Sequence, residues 1–150
     1  MVPDPIKNYL DDHGVPFRAG VHPYGVTAQR TAQEAHVPGR RFGKTVVLKQ
    51  DGRYMLVVVP AAETVDLKAL SETLGPGLML ATEEEMTELF PNCELGAMPP
   101  LGGLYGLPVI ADACFEKQAT ITVNGGTHND TIELRWEDFV QAEHPRIVMH

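Results

Sequence analysis

Two apolar, β-branched runs, Thr45 to Lys49 and Tyr54 to Val59, stand either side of Gln50-Asp51-Gly52-Arg53, and this arrangement constrains the fold more than any other stretch. Asp-Gly supplies two residues that tolerate positive φ, as the tight turns matching strand twist require, so the runs are predicted to close as an antiparallel hairpin.

The other elements follow from caps and periodicity. Asp4 as N-cap with Pro5 at the first helical position starts a helix that carries Ile6, Tyr9 and Leu10 on one face and ends at Gly14. Phe17 to Val21 reads as a strand, and Thr27-Ala28-Gln29 opens a second helix that stops before Pro38. Asp66 caps a helix ending at Gly75, and Thr82-x-x-Glu85 is a capping box for one running to about Phe90. Gly96 to Gly106 is rich in Gly and Pro and is predicted to be a rigid loop. Leu107 to Ala111, Ala119 to Asn124 and Thr131 to Leu134 read as strands, the last two joined through Asn124-Gly125-Gly126, and Glu137 to Ala142 as a closing helix. Two antiparallel hairpins among interleaved helices predict an α/β single domain over residues 1–150, with a mixed sheet of about seven strands and about five flanking helices.

Composition removes several classes. With 43% hydrophobic and 21% charged residues the chain is an ordinary globular sequence. Apolar runs such as Met55 to Val59 fall far short of the ~20 residues a membrane span needs. The first five residues carry neither a basic nor an apolar leader region, so a cytoplasmic location is expected. Six scattered histidines (His13, His22, His36, His128, His144 and His150) form no local metal-ligand spacing. Only residues from distant segments could assemble a metal site, and neither metal nor cofactor is expected. The net charge of −8 opposes general coating of nucleic acid, and no recognition-helix signature points to DNA. That average hides an asymmetry: six bases against two acids from Arg30 to Arg53, then eight acids against Lys68 alone from Glu63 to Glu94. Such a surface suits the end of a nucleic acid better than its length.

Nucleophiles are scarce. Ser71 is the single serine and has no G-x-S-x-G context, while Cys93 and Cys114 have no CxxC spacing and read as reduced packing thiols. Gly39-Arg40-Arg41-Phe42-Gly43-Lys44-Thr45 is one residue short of a phosphate-binding loop and precedes a strand instead of opening a helix. It leaves Lys44 at a strand mouth as a point charge for one phosphate. In Leu95 to Gly103, two prolines stiffen the backbone and Gly96 allows close approach, so the amides of Ala97 and Met98 are expected to face a ligand oxygen.

Gly43-Lys44-Thr45 leading into Val46-Val47-Leu48, then Val65-Asp66-Leu67, Gly96-Ala97-Met98-Pro99-Pro100-Leu101-Gly102, Ala119 to Gly126, and Ile132-Glu133-Leu134 together resemble the YbaK/EbsC (ProX-type) aminoacyl-tRNA deacylase family over nearly the whole chain. The resemblance implies a curved mixed sheet and trans-editing, the hydrolysis of the ester that joins a wrong, small amino acid to the terminal adenosine of a tRNA. It implies that Lys44 holds the terminal adenosine or its phosphate, that Gly96 and the Ala97 amide bind the scissile carbonyl, and that Thr45, Met98, Pro99, Pro100, Asn124 and Gly125 line the substrate site. The substrate's own free ribose hydroxyl would prepare the attacking water. The implied partners are the acceptor end of a mischarged tRNA and, as a helper, an aminoacyl-tRNA synthetase, with no membrane and no DNA. A non-catalytic module that binds a small ligand or a nucleic-acid end on the same fold is the alternative.

Overall fold

A computed structural model describes residues 1–22 and 38–150. The helix expected between Thr27 and Pro38 lies outside the described residues. The strands are β1 (Phe17–Val21), β2 (Phe42–Gln50), β3 (Arg53–Pro60), β4 (Met79–Leu80), β5 (Val109–Asp112), β6 (Thr120–Asn124), β7 (Asp130–Arg135) and β8 (Arg146–Val148). Among the described residues the α-helices are α1 (Asp4–Asp12), α2 (Leu67–Leu74), α3 (Glu83–Leu89), α4 (Gly102–Tyr105) and α5 (Trp136–Glu143), with a 3-10 turn over Ala113–Lys117.

Asp51 and Gly52 take φ of 51° and 79°, the left-handed pair that joins β2 to β3 in the register Gln50 to Arg53. The hairpin lies at the centre of one mixed sheet, ordered β1-β7-β6-β2-β3-β5-β8, with β4 added to β2. Pairs β2–β6, β3–β5 and β5–β8 are parallel and the others antiparallel. Apolar layers cover both faces of this hairpin. Val47, Leu56 and Val58 pack with Ile6, Leu10, Phe115 and Phe139, while Leu48, Val57 and Val59 pack with Leu70, Ile110 and Val148. Double coverage is why Met55 to Val59 shows no polar alternation, and each buried Val or Leu contributes about 1.5–3 kcal/mol.

Several boundaries depart from expectation. Pro3, not Asp4, is the N-cap of α1, because the Pro3 carbonyl accepts from Ile6 and Lys7 and draws Asp4 into the first turn. Gly96 to Gly106 is not loop throughout: Gly102–Tyr105 forms a helical turn, in which Gly102 packs so closely that a Cβ would strike the Leu107 carbonyl. That glycine is there for close packing. The 3-10 turn and the strands β4 and β8 are not expected from the sequence, and the two strands bring the number among the described residues to eight. Asp66 and Thr82 cap α2 and α3 as expected, the latter with the reciprocal Glu85 bond.

Candidate active site

The outer edge of β2 is shared between two partners. Phe42 and Gly43 pair with Thr122 and Val123 of β6, whereas Leu48 and Lys49 pair with Leu80 and Met79 of β4. Between them, Lys44 to Val46 have no strand partner on that edge among the described residues. The sheet therefore opens at the carboxyl end of β6, the kind of divergence at which α/β sheets bind ligands.

Strand alternation assigns the side chains around this opening. A Cβ on Gly43 would touch Val58, Phe115 and Val123, so Gly43 faces the α1 and α5 layer. Lys44 points to the opposite face. Asn124, one residue beyond Val123, shares that face with Lys44, and so do Phe42 and Thr122, one pair further back. Thr45 falls on Gly43's side, across from Val58. Lys44 and Thr45 thus lie on opposite faces of β2, and a ligand on the Lys44 face meets the lysine's side chain and not the threonine's.

Lys44 is half-buried, with no hydrogen-bond or ion-pair partner among the described residues. Burial lowers its pKa, and the carboxylate of Glu63, just past β3, opposes that shift. Two buried polar atoms on its face, Asn124 Oδ1 and Thr122 Oγ1, also have no partner among the described residues, and Thr45 Oγ1 on the other face has none.

The proline-rich bend is fastened to the same end of β6. Gly126 N–H donates to the Ala97 carbonyl at 3.0 Å, and Glu94 N–H donates to the Gly126 carbonyl at 2.7 Å. The Glu94 carboxylate accepts from His128 N–H at 3.0 Å, and the His128 ring meets the Leu95 carbonyl at 2.7 Å. Gly96 has φ of 85°, a conformation that side-chain-bearing residues resist. Ala97 does not present its amide as expected. Its N–H closes a turn on the Glu94 carbonyl at 3.0 Å. Pro99 and Pro100 have no N–H, and the N–H groups of exposed Gly96 and of Met98, 3% exposed, have no acceptor among the described residues.

Sequence reasoning did not find Glu63 or His128. Neither stands in a motif, and each acquires its place from chain segments far apart in sequence. The thiols behave as expected of packing groups: burial raises both pKa values, that of Cys114 to about 12 with Asp112 assisting. Neither is poised as a nucleophile.

One cluster does assemble from distant segments. The ligand atoms of Glu63, Asp112 and His150 lie within 4.8 Å of one another. His150 Nε2 accepts from Asp66 N–H at 2.7 Å, which places the ring proton on Nδ1, 3.2 Å from Glu63 Oε2 and 3.4 Å from Asp112 Oδ2. The single Nδ1 proton is shared between the two carboxylates, which ties the C-terminal residue to Glu63 and Asp112.

Comparison with known proteins identifies the family and the fold. A family model described as an aminoacyl-tRNA editing domain matches residues 22–142. A proline–tRNA ligase of Geobacillus thermodenitrificans (strain NG80-2) is 34% identical over 87 residues, which is 57% of this chain and 15% of the ligase. Among solved structures, a candidate trans-editing enzyme for prolyl tRNA synthetase superposes with TM-score 0.85 at 20% identity, covering 99% of this chain and 98% of that one. A protein of hypothetical function, APE2540, gives TM-score 0.86 at 19% identity, covering 97% and 98%. These two likenesses establish the fold. No helix among the described residues is long and apolar enough to cross a membrane.

Proposed function

Because the chain belongs to the aminoacyl-tRNA editing domain family, we propose that it hydrolyses the ester of a tRNA mischarged with a small amino acid, acting on the misacylated product of prolyl-tRNA synthetase. What supports this reading is the family match, together with a half-buried Lys44 that has no ion-pair partner among the described residues and a Met98 N–H without an acceptor on the bend fastened to the end of β6.

An aminoacyl ester is already activated, so positioning and charge stabilisation are enough to cleave it. The Lys44 ammonium holds a phosphate or hydroxyl oxygen of the terminal adenosine. Water, prepared by the free ribose hydroxyl, attacks the acyl carbon, and negative charge gathers on the carbonyl oxygen. The Met98 N–H, in place of the Ala97 amide, stabilises that charge, an interaction of roughly 3 kcal/mol. The C–O ester bond then breaks and the ribose oxygen takes a proton, which releases the amino acid and an intact tRNA end. Gly96, Pro99 and Pro100 keep the bend rigid, and Gly125 lets the β6–β7 turn lie close against Val2, which a Cβ would crowd. Discrimination among small side chains would rest on volume, with one methylene worth about 1–3 kcal/mol.

Incubation of the purified chain with a panel of radiolabelled misacylated tRNAs tests the reading. Release of a small amino acid from mischarged tRNA for proline, but not of proline itself, is expected. An inert chain that nevertheless retains the tRNA end would instead identify a binding module.

A further inference from the structure

On the Phe115 side of the sheet, at the edge far from β1, α5 and β8 leave an open hollow of about 370 Å³. Trp136, Val140 and Ile147 form its buried floor, and exposed Glu116, Glu137 and Gln141 form its rim. Trp136 and Val140 stand one turn apart on α5, with Glu137 and Gln141 beside them at the same spacing. Ile147 turns toward α5 because its neighbour Val148 turns to the other face, into the Leu70 layer. β8 is the last strand of the sheet, and its outer edge pairs with no strand among the described residues. Trp136 is 8% exposed, and its indole N–H, which is not sealed from solvent, has no acceptor among the described residues. The Glu116 carboxylate has no ion-pair partner there either, and Glu137 has only Arg135, at 3.0 Å in an exposed pair. Of the other cations nearby, Lys117 lines a neighbouring cavity and Arg146 donates to the Thr73 carbonyl.

Charge decides what fits this hollow. Two carboxylates from separate elements repel phosphate, so the face turns away from nucleic acid and from an anionic lipid surface. A purely apolar side chain would cover the floor but leave the carboxylates and the indole N–H unused. A lysine or arginine side chain uses all of it: the alkyl stem lies on Trp136, Val140 and Ile147, and the charged head reaches Glu116 and Glu137. The backbone that carries this side chain supplies a carbonyl for the indole N–H, and in extended form it meets the open edge of β8. We propose that the hollow between α5 and β8 docks an extended, lysine- or arginine-bearing segment of a partner protein. None of its residues belongs to the substrate site, so the proposal stands apart from the deacylase reading.

Trp136 is the single tryptophan of the chain, so its fluorescence reports on this hollow alone. The probe is the peptide acetyl-Thr-Val-Thr-Lys-Thr-Val-Thr-amide, titrated into the full chain while Trp136 emission is followed. A saturable shift in emission is expected, and the double variant Glu116→Gln, Glu137→Gln is expected to bind about ten-fold more weakly with its far-ultraviolet circular dichroism unchanged. Norleucine in place of the peptide's lysine should cost the wild type as much and the double variant nothing further. Asp138→Asn removes a charge from the same helix but lines a different cavity, so it should bind the peptide within about two-fold of the wild type. Methylation of the peptide's backbone nitrogens should weaken binding, since it blocks addition to the β8 edge. No response to millimolar peptide would overturn the proposal, as would equal affinity for the lysine and norleucine peptides or an Asp138→Asn loss equal to that of the double variant. Lysine amide binding as tightly as the peptide would overturn it in favour of a small-cation site. A concentration-dependent dimer in sedimentation, lost in the double variant, would overturn it in favour of a second copy of this chain.

Discussion

Two lysines five residues apart on β2 live in opposite conditions. Lys49, at the β4 end, donates to Glu85 Oε2 at 2.8 Å and lies 5.6 Å from the centre of the Tyr54 ring, while the Tyr54 hydroxyl also donates to Glu85. Its pKa is raised, chiefly by the hydrogen bond to Glu85. Lys44, at the β6 end, has no such partner among the described residues, and burial lowers its pKa. One strand thus ends in a satisfied cation and in an unsatisfied one. A structural lysine brings its counter-charge with it, whereas the lysine of a binding site waits for the ligand to supply one.

The most severe way to break this comparison is to remove each ammonium in turn. Lys44→Ala is expected to lower deacylation by about 10²-fold or more with the far-ultraviolet circular dichroism unchanged. Lys49→Ala should leave turnover within about two-fold and lower the melting temperature instead, since this half-buried pair holds α3 against the hairpin. If both variants deacylate alike, the two ends of β2 are functionally equivalent and Lys44 has no special role.

Glycines sharpen the contrast next. Gly96 and Gly52 both hold positive φ, 85° and 79°, so a side chain at either costs about 1–2 kcal/mol of backbone strain. Gly52 looks into open space, while a Cβ on Gly96 would touch His128, which holds the bend. Equal losses of stability in urea but loss of activity, about ten-fold or more, only in Gly96→Val are expected. Equal activity in Gly96→Val and Gly52→Val would show that the bend tolerates distortion and places no reacting group.

The same contrast explains what the sequence made readable. Around Lys49 the determinants are local: Asp51-Gly52 for the turn, Thr82 and Glu85 for the cap of α3, each decided within four residues. Around Lys44 they are not. The short parallel pairing of β2 with β6 joins segments some 80 residues apart, and β4 and β8 are too short to show any periodicity. Lys44, Gly96 and Asn124 were identifiable as a set through the family resemblance alone. Composition could show that the bend was stiff, but not which of its amides was taken, because that depends on the Glu94 carbonyl folding back to meet Ala97. Gly102 and Gly103 read as breakers although they are packing contacts, the second leaving room for the Tyr9 hydroxyl.

The mildest expected difference is in pH dependence, and its sign differs at the two ends. Glu85 is held down to about 2 by its bond to Lys49, with Thr82 and Tyr54 assisting, against 4.5 as its ordinary value. Its folded-state pKa is depressed, so its contribution to stability is complete above about 4.5 and is lost as the pH falls toward 2. Melting curves from pH 5 to 2 should therefore decline less steeply for Glu85→Gln than for the wild type. Lys44 acts in the alkaline range. Its pKa is lowered on folding, so the folded chain gives up that proton before an ordinary lysine would, and the anchoring charge goes with it. Enzymatic deacylation, corrected for spontaneous ester hydrolysis, should fall at a pH below the usual lysine value, while Lys44→Arg, always charged, should show no such fall in whatever activity it keeps. A wild-type profile that declines only where a free lysine would titrate means that Lys44 is fully hydrated, and the distinction between the two ends of β2 then rests on the Glu85 pair alone.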